Sequence, residues 1–305
     1  MMGVATKVRV WAADSAAARA AAERAFARIA AIDRACSDYL LDSELSRLCA
    51  LAGGAPLAVS ADLFAVLAAA RELAAASGGA FDPTCGPLVA LWRQARRTQR
   101  LPAAADLEAA RALVGWRDLE LDPARRTARL RRAGMRLDLG GIAKGYAAQA
   151  AVDELAAGGH PQCLVSLAGD IAAGAAPPGQ PGWRVEIEFG EGRRFGAVWL
   201  VDAAISTSGD AEQAVTIDGV RYSHVVDPRT GLGVTNRLAV TVVARRGELA
   251  DALPTTLCVL DVDAGLQLLA RYPEVAAILA PVAAAPRVHD PGGLLHPVAG
   301  SVSSR

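Results

Sequence analysis

Apolar and polar positions alternate over Val4 to Trp11, which predicts a strand. They change to helical Ala/Ile/Phe spacing over Ser15 to Asp33, with Asp14 or Ser15 placed to cap the helix. After a loop rich in Ser and Asp, Ser60 or Asp62 opens a second helix that runs to Ser77 and stops at Gly78-Gly79. The stretch Phe81 to Pro87 is too dense in Pro and Gly for a regular element. Helices over Leu88 to Arg97 and Asp106 to Val114 precede a hairpin, Leu119 to Asp122 and Thr127 to Arg132, turned at Asp122-Pro123. A strand over Arg136 to Leu139 then runs through Gly140-Gly141 into a helix, Ile142 to Ala157, ended by Gly158-Gly159.

The second half is rich in strand pattern. Strands are predicted over Cys163 to Leu167, Trp183 to Phe189, Ala197 to Ile205, Ala214 to Ile217, Arg221 to Val226 and Leu238 to Ala244, with Asp218-Gly219 turning one hairpin. Helices near Ala250 to Leu260 and Asp263 to Arg271 and a strand Val275 to Leu279 complete the pattern, and from Pro281 onward the chain reads as loop. Strands and helices in mixed order, without a regular βαβ period, imply an α+β fold of mixed sheets with flanking helices. A single domain over 1–280 is expected, with a helical lobe (about 1–135) packed on a strand-rich lobe (about 136–280), followed by a loop-like tail, 281–305.

Composition narrows the function. The 305 residues are 52% hydrophobic with 32 basic against 32 acidic side chains, so the chain has a core and carries no whole-molecule field for nucleic acid or an anionic surface. The arginines between Arg93 and Arg132 lack interleaved aromatics and read as solvated faces, not as a nucleic-acid site. Five scattered cysteines without CxxC spacing imply neither a disulfide framework nor zinc. The Ala-rich run Ala16 to Ala31 is interrupted by Arg19, Glu23, Arg24 and Arg28, so no transmembrane segment is predicted. No export signal precedes the first strand, and a cytoplasmic location is expected from the sequence as it stands.

Lysine is rare: Lys7 and Lys144 are the only two, and Asn236 is the sole asparagine. Lys144 sits in the densest chemical motif, Asp138-Leu139-Gly140-Gly141-Ile142-Ala143-Lys144-Gly145-Tyr146. Paired glycines at a helix start admit a close ligand, the free N–H groups suit a phosphate, and Lys144 adds a point charge. The same glycines also serve a plain strand-to-helix bend. A second motif joins Ser206-Thr207-Ser208-Gly209-Asp210 to Tyr222-Ser223-His224-Val225-Val226-Asp227-Pro228-Arg229-Thr230-Gly231. His224, on the strand entering the Asp-Pro corner, is either structural or a proton-transfer group. In a third, Asp251 and Thr255 are spaced i and i+4, which brings a carboxylate and a hydroxyl onto one helix face. Such hard oxygens suit Mg2+, although a helix cap and a solvent-facing threonine have the same spacing. Pro254 is tolerated if the helix begins near Ala250, placing it in the first turn.

Together with Ser37-Asp38-Tyr39, Asp42-Ser43-Glu44-Leu45-Ser46-Arg47-Leu48 and Phe81-Asp82-Pro83-Thr84-Cys85-Gly86-Pro87-Leu88, these blocks resemble the ApbE family, the FAD:protein FMN transferases, over nearly the whole chain. The resemblance implies a T-fold-like architecture and an Mg2+-dependent reaction. FAD is the substrate, and its FMN half is joined by a phosphoester to a Thr or Ser of an acceptor protein, with release of AMP. The acceptor carries a motif like Asp-x-x-Ser/Thr-Gly-Ala-Thr. It implies metal ligation by Asp251, Thr255 and the Gly141 carbonyl. Flavin contacts are implied at Met2, Tyr39, Ala80, Phe81, Asp82, Asp138, Lys144 and Val225. His224 or Asp210 is then the acceptor of the hydroxyl proton, with Lys144 addressing phosphoryl charge. An Mg2+-dependent FAD pyrophosphatase and a non-catalytic FAD carrier use the same groups and stay open. Cys49 stands where the family usually has Asn, and Ala211 where an aromatic is common. Many relatives carry an export or lipoprotein signal, so a periplasmic or membrane-attached location stays open as well.

Overall fold

The computed structural model describes residues 2–209 and 214–300. Its centre is an antiparallel seven-stranded sheet in the spatial order Thr6–Val10, Cys163–Leu167, Asp170–Ala173, Ala203–Ser208, Leu238–Ala244, Val275–Pro281, Arg287–His289. The strand Leu238–Ala244 is buried at every position because both faces of the sheet are covered. Leu238, Val240, Val242 and Ala244 join the core under the helices, whereas Ala239 and Val243 join a second core under the hairpin Trp183–Gly190/Arg193–Leu200. A strand covered on both sides reads as an unbroken apolar run, not as alternation. The α+β class follows directly.

Helices Ser15–Cys36, Ala143–Ala157 and Gly247–Val259 pack on one side of the sheet. The first is capped by Asp14, whose side chain accepts from the N–H groups of Ala16 and Ala17. Between the other two, Gly145 and Gly247 meet backbone to backbone. A Cβ on Gly145 would lie 2.1 Å from the Gly247 carbonyl oxygen, and one on Gly247 would lie 2.2 Å from that of Gly145. Only paired glycines allow this approach, and it carries the helix bearing Asp251 onto the start of the helix bearing Lys144.

Several elements differ from the sequence pattern. The strand Ala203–Ser208 is separate from Arg193–Leu200, split by a turn in which Asp202 takes φ 45°. The residues 136–139 form no strand. Arg136 makes a single bridge to Cys85, and the Asp138 N–H goes to the Pro83 carbonyl, so this segment is paired to the Pro/Gly-rich loop. The strand Val220–Tyr222 ends before His224, which lies in a bend instead. The expected division into lobes is crossed at the first strand: Thr6–Val10 pairs with Cys163–Leu167, and one continuous core contains both Ala21 and Leu279. The tail is not all loop, since Arg287–His289 is the edge strand and Trp199 N–H donates to the His296 carbonyl.

The helix carrying Asp251 begins at Gly247, not near Ala250, so Pro254 lies in its interior. A proline there forfeits a backbone bond and crowds the carbonyl four residues back, at a cost of about 3 kcal/mol. Every residue from Leu249 to Val259 except Thr255 is buried, and that packing outweighs the defect.

Candidate active site

A cleft of about 1090 Å³ opens where the sheet, the start of helix Ala143–Ala157 and the loop after helix Ala61–Ala76 meet. It is lined by Tyr39, Ala80, Phe81, Asp82, Asp138, Gly141, Lys144, His224, Val225, Asp251 and Thr255. These residues come from segments far apart in sequence, and the fold brings them to one surface. Met2 is not in the lining: its N–H donates to Asp33 Oδ2 at 2.8 Å and its side chain packs against the core. Asp210 and Ala211 lie outside the described residues.

At the base of the cleft Lys144 Nζ is 2.6 Å from Asp170 Oδ2 and 3.3 Å from Asp251 Oδ1. The Gly145 N–H donates to Asp251 Oδ2 at 2.9 Å, and Ser206 Oγ donates to Asp170 Oδ1 at 2.5 Å. Two buried carboxylates thus face one ammonium. Burial, then the charge of Asp170, push the Asp251 carboxyl up to about 7, against the opposing pull of Lys144 and the Gly145 N–H. Burial works against the Lys144 charge, but Asp251 and Asp170 overcome it and hold the ammonium well above its ordinary range. The sequence pattern offers this helix start to a phosphate, yet one of its N–H groups belongs to Asp251, and Lys144 is already engaged by carboxylates.

Alternation along Ala203–Ser208 explains two further groups. Ala204 belongs to the core under the helices and Ile205 to the other, so Ser206 and Ser208 share the helix side. Ser208 Oγ lies 3.1 Å from Thr255 Oγ1. Gly141 abuts the same threonine: a Cβ there would sit 3.5 Å from Thr255 Oγ1 and 3.7 Å from the Phe81 ring. Among the described residues no group of three or more His, Cys, Asp or Glu converges as a metal site. Carboxylate, hydroxyl and backbone carbonyl are hard oxygen donors. A set with so few protein charges fits Mg2+, which keeps waters and takes phosphate oxygens, and does not fit zinc.

The outer wall holds a second charge network. Arg93 donates to Asp38 Oδ2 at 2.7 Å and to Asp138 Oδ2 at 3.0 Å, and its guanidinium lies 4.8 Å from the centre of the Tyr39 ring. Burial, then Asp38, raise the Asp138 carboxyl above the usual range, opposed by Arg93 and the Gly140 N–H. Asp82 accepts from Thr84 and from the Trp116 N–H, so its carboxylate braces the loop that carries Phe81. His224 is half-buried between pinned neighbours: the Ser223 N–H reaches the Val234 carbonyl, and Trp92 Nε1 donates to the Ser223 carbonyl. Cys49, in place of the usual Asn, accepts the Leu137 N–H at 3.2 Å, next to the loop of Asp138.

The sequence pattern did not mark Asp170, placed Ser206 in a motif without its partner, and read Arg93 as part of a solvated face. Asp170 opens a strand the pattern did not show, paired back onto Cys163–Leu167 through the two-residue turn Ala168-Gly169. Arg93 was indistinguishable from its solvated neighbours until its two carboxylate partners were placed.

Fold and cleft together define an α+β enzyme whose site combines a buried lysine-dicarboxylate cluster with hydroxyl and carbonyl oxygens. The chain belongs to the ApbE family, whose model matches residues 2–279. It is 35% identical over 296 residues to the FAD:protein FMN transferase of Treponema pallidum, covering 91% of this chain and 82% of that one. The flavinyl transferase ApbE of Pseudomonas stutzeri, solved in its apo form, superposes with a TM-score of 0.83 at 32% identity, covering 94% of this chain and 92% of the other. The flavin transferase ApbE of Vibrio cholerae gives 0.84 at 28% identity, covering 96% and 95%.

Proposed function

We propose that this chain is an FAD:protein FMN transferase that joins the FMN half of FAD to a Thr or Ser hydroxyl of an acceptor protein and releases AMP. The observation that carries this reading is the Lys144–Asp170–Asp251 cluster beside Thr255 and Gly141, set in a cleft large enough for a dinucleotide. The family membership and the named relatives support it.

In the reaction the acceptor oxygen forms a bond to the FMN-side phosphorus while the bond from that phosphorus to the bridging oxygen breaks. AMP departs with that oxygen, and the hydroxyl proton passes to a base. Charge accumulates on the phosphoryl oxygens, so the chain's task is positioning and electrostatics. Asp251, Thr255 and the Gly141 carbonyl would hold Mg2+, which would supply neutralisation of phosphoryl charge worth several kcal/mol. Lys144 holds the two carboxylates together and opposes the loss of charge that burial presses on Asp251, which favours Asp251 as a metal ligand. Tyr39, Phe81, Asp138 and Val225 line the region assigned to the flavin. His224, from the cleft wall, takes the proton; Asp210 is the second group with the chemistry for it.

Incubation with FAD, Mg2+ and a peptide carrying Asp-x-x-Ser/Thr-Gly-Ala-Thr tests this by mass spectrometry. The expected result is a peptide heavier by FMN, with AMP in equal amount. Free FMN with an unmodified peptide identifies a pyrophosphatase, and intact FAD a carrier. Lys144→Ala is expected to lower kcat/KM for FAD by about 100-fold with the circular dichroism spectrum unchanged, the scale of one electrostatic group at a phosphoryl site. Wild-type kinetics in that variant remove Lys144 from the site.

A further inference from the structure

The mouth of the cleft carries an unusual apolar edge. Tyr39, Leu40 and Leu41 are consecutive and exposed, at 72%, 38% and 94%. Single exposed apolar side chains are ordinary, but three in a row beside an active site form a patch. Tyr39 lines the cleft while most of its surface meets solvent, and the exposed Leu40 and Leu41 follow it directly in the chain, so the patch starts at a residue of the cleft.

The segment is held in place. Ser43 Oγ donates to the Ser37 carbonyl at 2.7 Å and Ser46 Oγ to the Leu40 carbonyl at 2.7 Å. The Ser43 N–H also donates to the Leu40 carbonyl, and Arg93 over the Tyr39 ring fixes the inner end. Ser43 in turn caps the helix Glu44–Ala50 through the Ser46 N–H. Leu41 is therefore presented to solvent by a backbone that has little freedom left to lose on binding, which is the arrangement that favours contact.

We propose that Leu40 and Leu41 form a docking edge for the acceptor protein, taking an apolar segment next to its modified hydroxyl. This rests on the transferase reading. A substrate hydroxyl that belongs to a protein has to enter through the mouth, so the residues flanking it pass over whatever borders the opening, and the apolar edge is continuous with the cleft. Specificity for an acceptor then comes partly from outside the cleft, on residues that take no part in FAD binding.

The test uses two peptides with the Asp-x-x-Ser/Thr-Gly-Ala-Thr motif, one flanked by Leu and Phe and one by Ser, offered to the wild-type chain and to Leu41→Ser. The wild type is expected to label the apolar-flanked peptide with a kcat/KM about tenfold higher, and Leu41→Ser to lose that preference while keeping the FAD affinity. Equal labelling of the two peptides by the wild type, or a preference that survives in Leu41→Ser, overturns the docking edge and leaves the transferase reading standing. No adduct on either peptide defeats both. Sedimentation of both proteins supplies the other control: a wild-type dimer that Leu41→Ser converts to monomer assigns the patch to a second copy of the chain and also overturns the proposal.

Discussion

Asp251→Asn yields a folded protein whose FMN transfer falls by about 10³-fold, the size expected when a metal ligand worth several kcal/mol is lost at about 1.4 kcal/mol per factor of ten. Asparagine keeps the volume of the side chain and an oxygen for the Gly145 N–H, which now donates at 2.9 Å. It removes the charge and with it the hard anionic ligand. Lys144 keeps Asp170 at 2.6 Å, so the cluster stays paired. The structural and chemical roles of the residue separate when alanine is placed there as well. Asp251→Ala also strands the buried Gly145 N–H, an unsatisfied donor that costs about 1–3 kcal/mol, and it should melt below Asp251→Asn. Near-normal turnover of Asp251→Asn at ordinary Mg2+, measured as AMP released, would remove the metal assignment.

The second large effect is structural. Gly145→Ala places a methyl 2.1 Å from the Gly247 carbonyl oxygen and 2.6 Å from Asp251 Cβ, contacts that no rotamer relieves because the first is backbone. The two helices have to part. Overpacking a core typically costs about 1–3 kcal/mol, and a clash with backbone belongs at the upper end, a fall in Tm of roughly 5 °C for a chain of this length. Activity should disappear with it, because separating the helices draws Asp251 away from Lys144. Gly247→Ala meets the same obstacle from the other side, 2.2 Å from the Gly145 carbonyl oxygen, and should behave alike. Combining the two should cost less than the sum, since one displacement serves both. Wild-type melting of either single variant in a calorimeter would show that the helices do not meet at this distance.

What was legible in the sequence was local. Asp14 as a cap, Gly78-Gly79 as a helix stop and the strand Cys163–Leu167 are recorded in the residue types at those positions, and the structure places them there. Lys144, Gly141, Asp251 and Thr255 were singled out because each motif carries its chemistry within a few residues, and all four line one cleft. Misplaced elements had causes elsewhere in the chain. The 136–139 segment alternates like a strand but is paired by a proline-rich loop, and Pro254 sits inside a helix because burial on all sides sustains it.

By itself the sequence determined the α+β class, most helix ends and the residue types at the centre of the site, because propensity, capping and turn chemistry act over a few positions. Only the tertiary structure decided that Asp170 completes the pair around Lys144, that Arg93 braces Asp138 from 45 residues away, and that Leu41 stands exposed two residues from the cleft-lining Tyr39. Ion pairs and exposure depend on which segments meet in space, and here that was settled by both faces of one sheet being covered and by two glycines that let a pair of helices touch.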